Sequence, residues 1–288
     1  MPLTGRPPTI PGMSSSFRPN YVRVWLTFVR NALVREMTFR GNFIAEVLTI
    51  LFWFAAQIVL FDVIYSQAPV IRDWSKHEYF AFMATGMLIN AIVEGLFMPN
   101  CANFGEMIRT GDLDFALLKP IDAQFLVSTQ QFSWSQVIEI FLALGLLARS
   151  LMKADVAVTP GRVTVYFALV AFGVAFYYAL MLILASTSVW LGRNQSLYDF
   201  WFYVTSFGRY PQGIYRNQGM IGEVLWFGLS FVIPLLLVVT VPARVVLQKA
   251  LDPDWRVAIF APIGTLVLLV LARVVFHKAL SQYRSASS

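Results

Sequence analysis

A few acidic side chains stand out because they lie in apolar or tightly patterned surroundings. Asp112 and Asp114 form a close pair of acids within a motif, in a short segment that also contains Lys119. Lipid transferases use paired Asp clusters to bind metal–diphosphate, but this pair has no further Asp cluster in its motif. Glu94 and Glu139 lie within apolar runs, where a charge at mid-membrane costs roughly 2.5–3.5 kcal/mol and usually faces protein or water.

Most other catalytic patterns are missing from the sequence. The single cysteine, Cys101, cannot form an internal disulfide, and His77 and His277 are far apart with no metal-ligand spacing. No G-x-S-x-G or H-E-x-x-H motif occurs, nor a phosphate-binding G-x-x-x-x-G-K-[ST] loop. We therefore expect no cofactor on this chain and regard a membrane-embedded lipid-modifying enzyme as the weakest hypothesis.

The composition predicts an integral membrane protein. The chain is 58% hydrophobic and 13% charged, whereas a soluble domain carries roughly 25% charged residues. A helix that spans a bilayer needs about 20 mostly apolar residues. Six segments qualify, at about 43–65, 79–99, 124–149, 162–190, 223–243 and 257–276. The predicted fold class is an all-α polytopic membrane protein with six transmembrane helices, in a domain that covers residues 43–279.

The distribution of basic residues predicts the orientation. Six spans place both termini on one side, which then receives 14 Lys and Arg against 8 on the other. The positive-inside rule puts both termini in the cytoplasm, and we expect the protein in the cytoplasmic (inner) membrane. Arg273 lies near the end of the last span, where a long side chain can reach the headgroups.

The two ends of the chain are predicted to lie outside the spans. Residues 1–19 are expected to be a disordered polar N-terminus, and 280–288 a cytoplasmic tail. Within 20–42, Val22, Leu26, Val29, Leu33 and Met37 share one helical face, which indicates an interfacial amphipathic helix. Its arginines suit anionic lipid headgroups, not nucleic acid. Residues 194–222 favour either a short interfacial helix and loop or the entry to the fifth span.

The segment 103–122 between spans two and three has the clearest local pattern; we call it the coupling segment. Gly111 suits a helix C-cap, Asp112 can cap a new helix, and Pro120 ends it after Lys119. The short helix would expose apolar side chains, namely Leu113, Phe115, Leu117 and Leu118. Such a surface fits a docking element for another protein. A capped turn that packs on its own helices fits equally well.

Span three is expected to carry a polar stripe along one face: Gln124, Ser128, Gln131, Ser135 and Glu139. The stripe either lines a translocation path with Glu94 or binds helices together through hydrogen bonds. Helix packing is the commoner role of Ser and Gln, whereas Glu139 is the best candidate for a functional role.

Arg109-Thr-Gly-Asp-Leu-Asp114, followed by Leu117-Leu-Lys-Pro120, resembles the signature of a branch of the ABC-2-type permeases, the membrane subunits of ATP-binding-cassette exporters. Pro242-Ala243 and Tyr283-Arg284-Ser285 are similar to that branch as well. The resemblance implies that the coupling segment contacts an ATPase subunit. The residues that would do so are Glu106, Arg109, Gly111, Asp112, Leu113, Asp114, Leu117, Leu118, Lys119 and Pro120.

The resemblance also implies the partners. Two ATPase subunits would bind ATP-Mg, and a second permease, identical or related, would complete the pathway. Because no room exists for a folded ectodomain, the cargo is expected to be apolar or amphipathic. The alternative from another class is a stand-alone secondary transporter, although the two related halves typical of such proteins are not evident.

Overall fold

The computed structural model describes residues 20–191, 196–216, 218–251 and 255–283. Within these ranges the chain is almost entirely helical, with one two-stranded antiparallel hairpin formed by β1 (Val70–Ile71) and β2 (Trp74–Ser75). The predicted N-terminus 1–19 and the Arg284-Ser285 part of the C-terminal motif and tail lie outside the described residues.

The helices follow one another with short connections, as their bounds show: α1 Tyr21–Thr38, α2 Arg40–Gln67, α3 Lys76–Leu96, α4 Met98–Thr110, α5 Asp112–Leu117, α6 Ala123–Thr129, α7 Ser135–Lys153, α8 Pro160–Ser186, α9 Ser188–Leu191, α10 Ser196–Gly208, a 3-10 turn Gln212–Ile214, α11 Gly219–Phe227, a π-helical turn Gly228–Val232, α12 Leu235–Val246 and α13 Val257–Gln282.

The predicted fold class is confirmed. Among the described residues, five helical segments are long and apolar enough to cross a membrane: Arg40–Gln67, Lys76–Thr110, Ser135–Lys153, Pro160–Trp190 and Val257–Gln282. A sixth crossing exists if the bent pair Gly219–Val232 and Leu235–Val246 counts as one span. The chain is therefore an all-α polytopic membrane protein, with five or six candidate spans among the residues that the structure describes.

The fifth predicted span, 223–243, is broken in the structure. Its two halves meet at an angle of 78° beside Pro234. A proline lacks the N–H that would continue the helix, and it disfavours helical geometry at the preceding residue. Ile233 is accordingly extended, with φ −122° and ψ 97°, and its N–H donates to Gly228 O at 2.9 Å. Of the two alternatives for 194–222, the structure has a helix, α10, and a turn, with α11 beginning at Gly219.

The third predicted span, 124–149, is also broken, because residues 130–134 leave the helix between α6 and α7. The freed backbone groups bond to other parts of the protein: Ser133 N–H donates to Gly95 O at 3.0 Å. The Asn100 amide accepts from Gln131 N–H at 2.6 Å and donates to Gln131 O at 2.8 Å. Polar backbone at membrane depth requires such partners.

Helix α3 lies at the centre of the bundle, where it packs against α7, α8 and α12. Most of its residues are buried, whereas α2 buries only Phe61 and Tyr65. The approach of α8 is close: a Cβ on Gly173 would lie 3.0 Å from side-chain atoms of both Ile89 and Val238. Helix α2 is thus the most loosely held long helix among those described.

The predicted amphipathic helix exists as α1. Its side toward the protein is formed by Phe28, Val29, Ala32 and Glu36, and the backbone N–H of Trp134 donates to Glu36 at 2.9 Å. Most of the predicted apolar face is exposed, namely Val22, Leu26, Leu33 and Met37. That exposed face suits a lipid surface, and the interfacial position stays a prediction.

The Asn100 clamp yields a test of the fold. Asn100→Ala removes both partners of the Gln131 backbone and leaves buried polar groups unpaired, which should cost about 2–3 kcal/mol. We expect a clear fall in the apparent unfolding temperature in detergent. Asn103→Ala is the matched control on the same helix, since in the described part of the chain the Asn103 side chain has no hydrogen bond. Equal unfolding temperatures for the two variants would contradict the role of the clamp.

Candidate functional site

A groove runs along the inner side of α2, between this helix and α3, α7 and α10. It consists of two adjoining cavities of about 620 and 630 Å³. The two cavities share five of their lining residues: Trp53, Gln57, Met87, Glu94 and Glu139. The structure therefore brings together the two intramembrane acids that the sequence singled out, and it places them in the wall of one groove.

The two acids differ in their surroundings. The Glu94 carboxylate accepts hydrogen bonds from Trp201 Nε1 at 2.8 Å and from Gln136 Nε2 at 3.3 Å. Glu139 has no hydrogen-bond partner among the described residues, although it faces the same groove. Glu94 is thus held in place by its neighbours, whereas the Glu139 carboxyl is available to a bound molecule.

The predicted polar stripe does not lie on one helix, because the break at 130–134 separates its members. Gln124 and Ser128 on α6 both hydrogen-bond to the hydroxyl of Tyr178 on α8, each at 2.9 Å. Gln131 lies in the connection, and Ser135 pairs with Ser133 at 2.8 Å. The prediction of one continuous stripe is therefore wrong. The Gln124 and Ser128 side chains instead bind α6 to α8.

Arg273 is bound to the protein at a site that the sequence did not predict. Its guanidinium donates to Gln124 Oε1 at 2.9 Å and to Asp122 Oδ2 at 3.1 Å. Asp122 also caps α6 through Phe125 N–H at 3.0 Å. Although burial acts to raise it, these two hydrogen bonds and the Arg273 charge hold the pKa of Asp122 below its ordinary value. An arginine in an apolar span is the signal that predicts such a partner.

The coupling segment folds as two helices joined at Gly111, which has a left-handed φ of 80° as expected for a C-cap. Asp112 does not cap α5; Gly111 holds that position, and the Asp112 carboxylate accepts from the Thr110 hydroxyl at 2.8 Å. Arg109 forms an ion pair with Glu106 on the surface.

The exposed apolar surface of the coupling segment differs from the predicted one. Leu113 is 0% exposed and packs in the core of this chain, so the prediction of an exposed Leu113 is wrong. A helix of six residues must bury the side that docks onto α4 and α6, and Leu113 and Ala116 form that side. Phe115, Leu117 and Leu118 are 70%, 40% and 81% exposed. We call these three residues the coupling surface.

The other predicted site residues surround the coupling surface. Asp114 is half-buried at the start of α5, and Lys119 and Pro120 are exposed after its end. No cluster of three or more His, Cys, Asp or Glu side chains that could hold a metal ion occurs in the described parts of the chain.

Apolar helices that pack around a groove with acidic side chains are typical of an integral membrane transport protein. The family model of the ABC-2 family transporter protein matches residues 51–287. This match covers most of the chain, and the chain therefore belongs to the ABC-2 transporter family. No curated protein matches the sequence. As a member of this family, the chain is a permease subunit of an ABC transporter, a transport component that works with an ABC ATPase.

The Asp122–Arg273 pair leads to a pH-dependent prediction. A carboxyl whose pKa is lowered by folding stabilises the protein above its unfolded pKa, and the gain is lost as the pH falls through the folded value. Asp122→Asn should cost about 0.5–1 kcal/mol at neutral pH, since the pair is partly exposed. The difference from wild type in unfolding temperature should shrink below a pH of about 4.

A double-variant comparison isolates this pair. The double variant Asp122→Asn with Arg273→Met should lose less stability than the two single variants lose together, because each change removes the same interaction. Simple additivity, or a difference between wild type and Asp122→Asn that does not change with pH, would contradict the assignment.

Proposed function

We propose that this chain is the permease of an exporter in which cargo moves along the groove beside α2, driven by a separate ATPase that docks on the coupling surface. The observation that carries the proposal is the arrangement of α3, α4 and α5. These helices connect an exposed apolar surface at one end of the bundle to the wall of the groove.

Helices α3 and α4 run on as a single apolar segment, Lys76–Thr110, of 35 residues. At 1.5 Å per residue its length is about 52 Å, longer than the ~30 Å hydrocarbon core. The segment therefore extends beyond the bilayer, where α5 packs against α4. Met83, Met87, Asn90 and Glu94 of the same segment line the groove. A push on α5 would consequently move a wall of the groove, as a rigid-body motion.

The coupling surface has the properties of a docking element. Phe115 on α5 and Leu118, its C-cap, are three residues apart and lie on one side, with Leu117 beside them. Exposed apolar side chains on a short, fixed helix fit a cleft on a partner better than they fit water. The partner would be an ABC ATPase subunit that binds ATP-Mg, present in two copies. A second permease, identical or related, would complete the assembly.

The lining of the groove favours an amphipathic cargo. Trp53, Met87 and Trp201 provide apolar and aromatic surface, whereas Glu94 and Glu139 add two acids at the middle of the groove. A cargo with an apolar body and a positively charged group would satisfy both features, because a cation pairs with carboxylates and with aromatic faces. Movement would be out of the cytoplasm or the inner leaflet.

Partner recovery tests the class of the protein. A tagged chain extracted from its native membranes in mild detergent should bring an ATPase subunit with it, identified by mass spectrometry. Leu117→Asp with Leu118→Asp should abolish ATP hydrolysis coupled to transport, because two charges would have to be buried in the docking cleft. Met152→Asp is the control for the single variant Leu118→Asp. Met152 is equally exposed and lies near the C-terminal end of α7, away from the coupling surface.

Three outcomes count against the proposal. Normal hydrolysis in the double variant would show that the coupling surface does not dock the ATPase. Equal losses in Leu118→Asp and Met152→Asp would show a general effect of surface charge. Recovery of this chain alone, in detergent and in lipid nanodiscs, would favour a secondary transporter.

Glu139 provides the test of the groove. Glu139→Gln keeps the size of the side chain and breaks no hydrogen bond, so assembly with the ATPase should be unchanged while transport per complex changes. Ser128→Ala is the control, because it removes a bond to Tyr178 and should lower stability without altering transport per folded complex. If Glu139→Gln impairs only assembly, the residue is structural.

A further inference from the structure

The groove ends on a group of buried aromatic rings near the β1–β2 hairpin. Phe61 and Phe82 line that end of the groove and are 8% and 1% exposed. Tyr79 packs between them, with ring centroids 4.5 Å from Phe61 and 5.8 Å from Phe82. At the opposite end the groove reaches exposed Glu46. The groove therefore meets these rings at the hairpin end, beside Arg209, and reaches the surface at Glu46 at the other.

The rings belong to separate elements that are tied together. We call Phe61, Tyr65, Trp74, Tyr79 and Phe82 the aromatic plug. The Tyr65 hydroxyl donates to Trp74 O at 3.3 Å, which joins α2 to the hairpin. The Tyr79 hydroxyl donates to the backbone oxygen of Arg209 at 2.9 Å, which joins α3 to the end of α10. The plug thus connects three walls of the groove.

Two ion pairs hold the plug from the outside; we call Asp73, Glu78, Arg244 and Lys249 the ionic clamp. Arg244 pairs with Asp73 at 2.7 Å, and their side chains are 7% and 46% exposed. Lys249 pairs with Glu78 at 2.9 Å, with side chains 17% and 23% exposed. Both cations lie over the ring of Trp74, at 5.2 and 5.3 Å from its centroid.

The clamp joins regions that are distant in the sequence. Its acids lie on the hairpin and at the start of α3, and its cations lie at the end of α12 and just after it. Shielded ion pairs interact far more strongly than hydrated ones, because the effective dielectric constant is lower. Once water enters, the pairs lose most of that strength. The clamp is therefore stronger in the closed arrangement than it would be in a hydrated one.

We propose that the aromatic plug and the ionic clamp form a gate at the hairpin end of the groove, which must open before cargo leaves. This inference rests on the proposed function, in which cargo moves through the groove. The rings block the groove, and the clamp sets the free energy required to separate them. The topology predicted from the basic residues places this gate on the outer face.

A cysteine placed in the groove measures the opening of the gate by its labelling rate, which does not depend on an assay of ATP hydrolysis. Cys101 is the only native cysteine and is buried, so Cys101→Ser gives a background free of thiols. Asn90→Cys then introduces a thiol in the groove wall. The rate of labelling by a membrane-impermeant maleimide, added to intact cells, reports access past the plug. Labelling of the detergent-solubilised protein shows that the thiol is reactive.

Lys249→Met removes the ammonium of the clamp and keeps an apolar side chain over Trp74. Its matched control is Lys76→Met, which breaks the exposed pair with Asp62 at the same end of the bundle. We expect labelling at least about fivefold faster in Lys249→Met, the ratio that corresponds to the upper end of the range measured for solvent-exposed pairs. Lys76→Met should label at the background rate. Adding Glu78→Gln to Lys249→Met should give no further increase.

The outcomes separate the gate from the proposed function. Equal labelling in Lys249→Met and Lys76→Met would overturn the gate, as would an equal increase in Asn100→Ala, which destabilises the fold away from the plug. ATPase recovery, measured in the same preparations, tests the proposed function. Faster labelling without a recovered ATPase would leave the gate standing and overturn the exporter.

Discussion

A polar backbone group inside a bilayer must find its partner within the protein, and this constraint explains where the chain can leave the helix. At 130–134 the freed groups bond to Asn100 and to Gly95 O. At Pro234 the π-helical turn keeps Ile233 N–H bonded to Gly228 O. Each break therefore exists only because another helix, or an altered turn, satisfies it. Glu139 lies on α7, after the first of these breaks, and lines the groove beside α2.

The same constraint divides the ionisable side chains of the bundle into those with a fixed partner in the protein and those without one. Arg273 is bound to Asp122 and Gln124, and Glu94 accepts two N–H groups. Charges of this kind hold helices together, because their partners are fixed parts of the fold. Glu139 differs, since its carboxyl faces a cavity of several hundred Å³ and, in the described part of the chain, accepts no hydrogen bond. An acidic side chain without a fixed partner in an apolar span is the strongest indication of function in the part of the chain that the structure describes.

Local features could be predicted from the sequence, and features that depend on distant partners could not. The helix end at Gly111 follows from local turn chemistry, and the apolar spans follow from composition. The break at 130–134 depends on Asn100, some 30 residues away, so the spacing of Gln and Ser mimics one helical face. The burial of Leu113 likewise depends on the docking of α5, which a six-residue pattern does not encode. Within the groove, the two acids were predictable as unusual residues, but their meeting on one wall was not.

Helix α2 is only weakly attached to the bundle, and the groove can therefore change its width. This helix buries two residues, Phe61 and Tyr65, and both belong to the aromatic plug at its far end. Elsewhere it contacts the bundle across the groove, with Trp53 and Gln57 facing the two acids. A wall fixed at one end and loose along the rest can move by a hinge near the plug, whereas the tightly packed α3 can only move as a rod. In the proposed function, cargo that enters beside α2 would meet the movable wall first and the plug last. The main resistance to its release would then lie at the plug and its ion pairs.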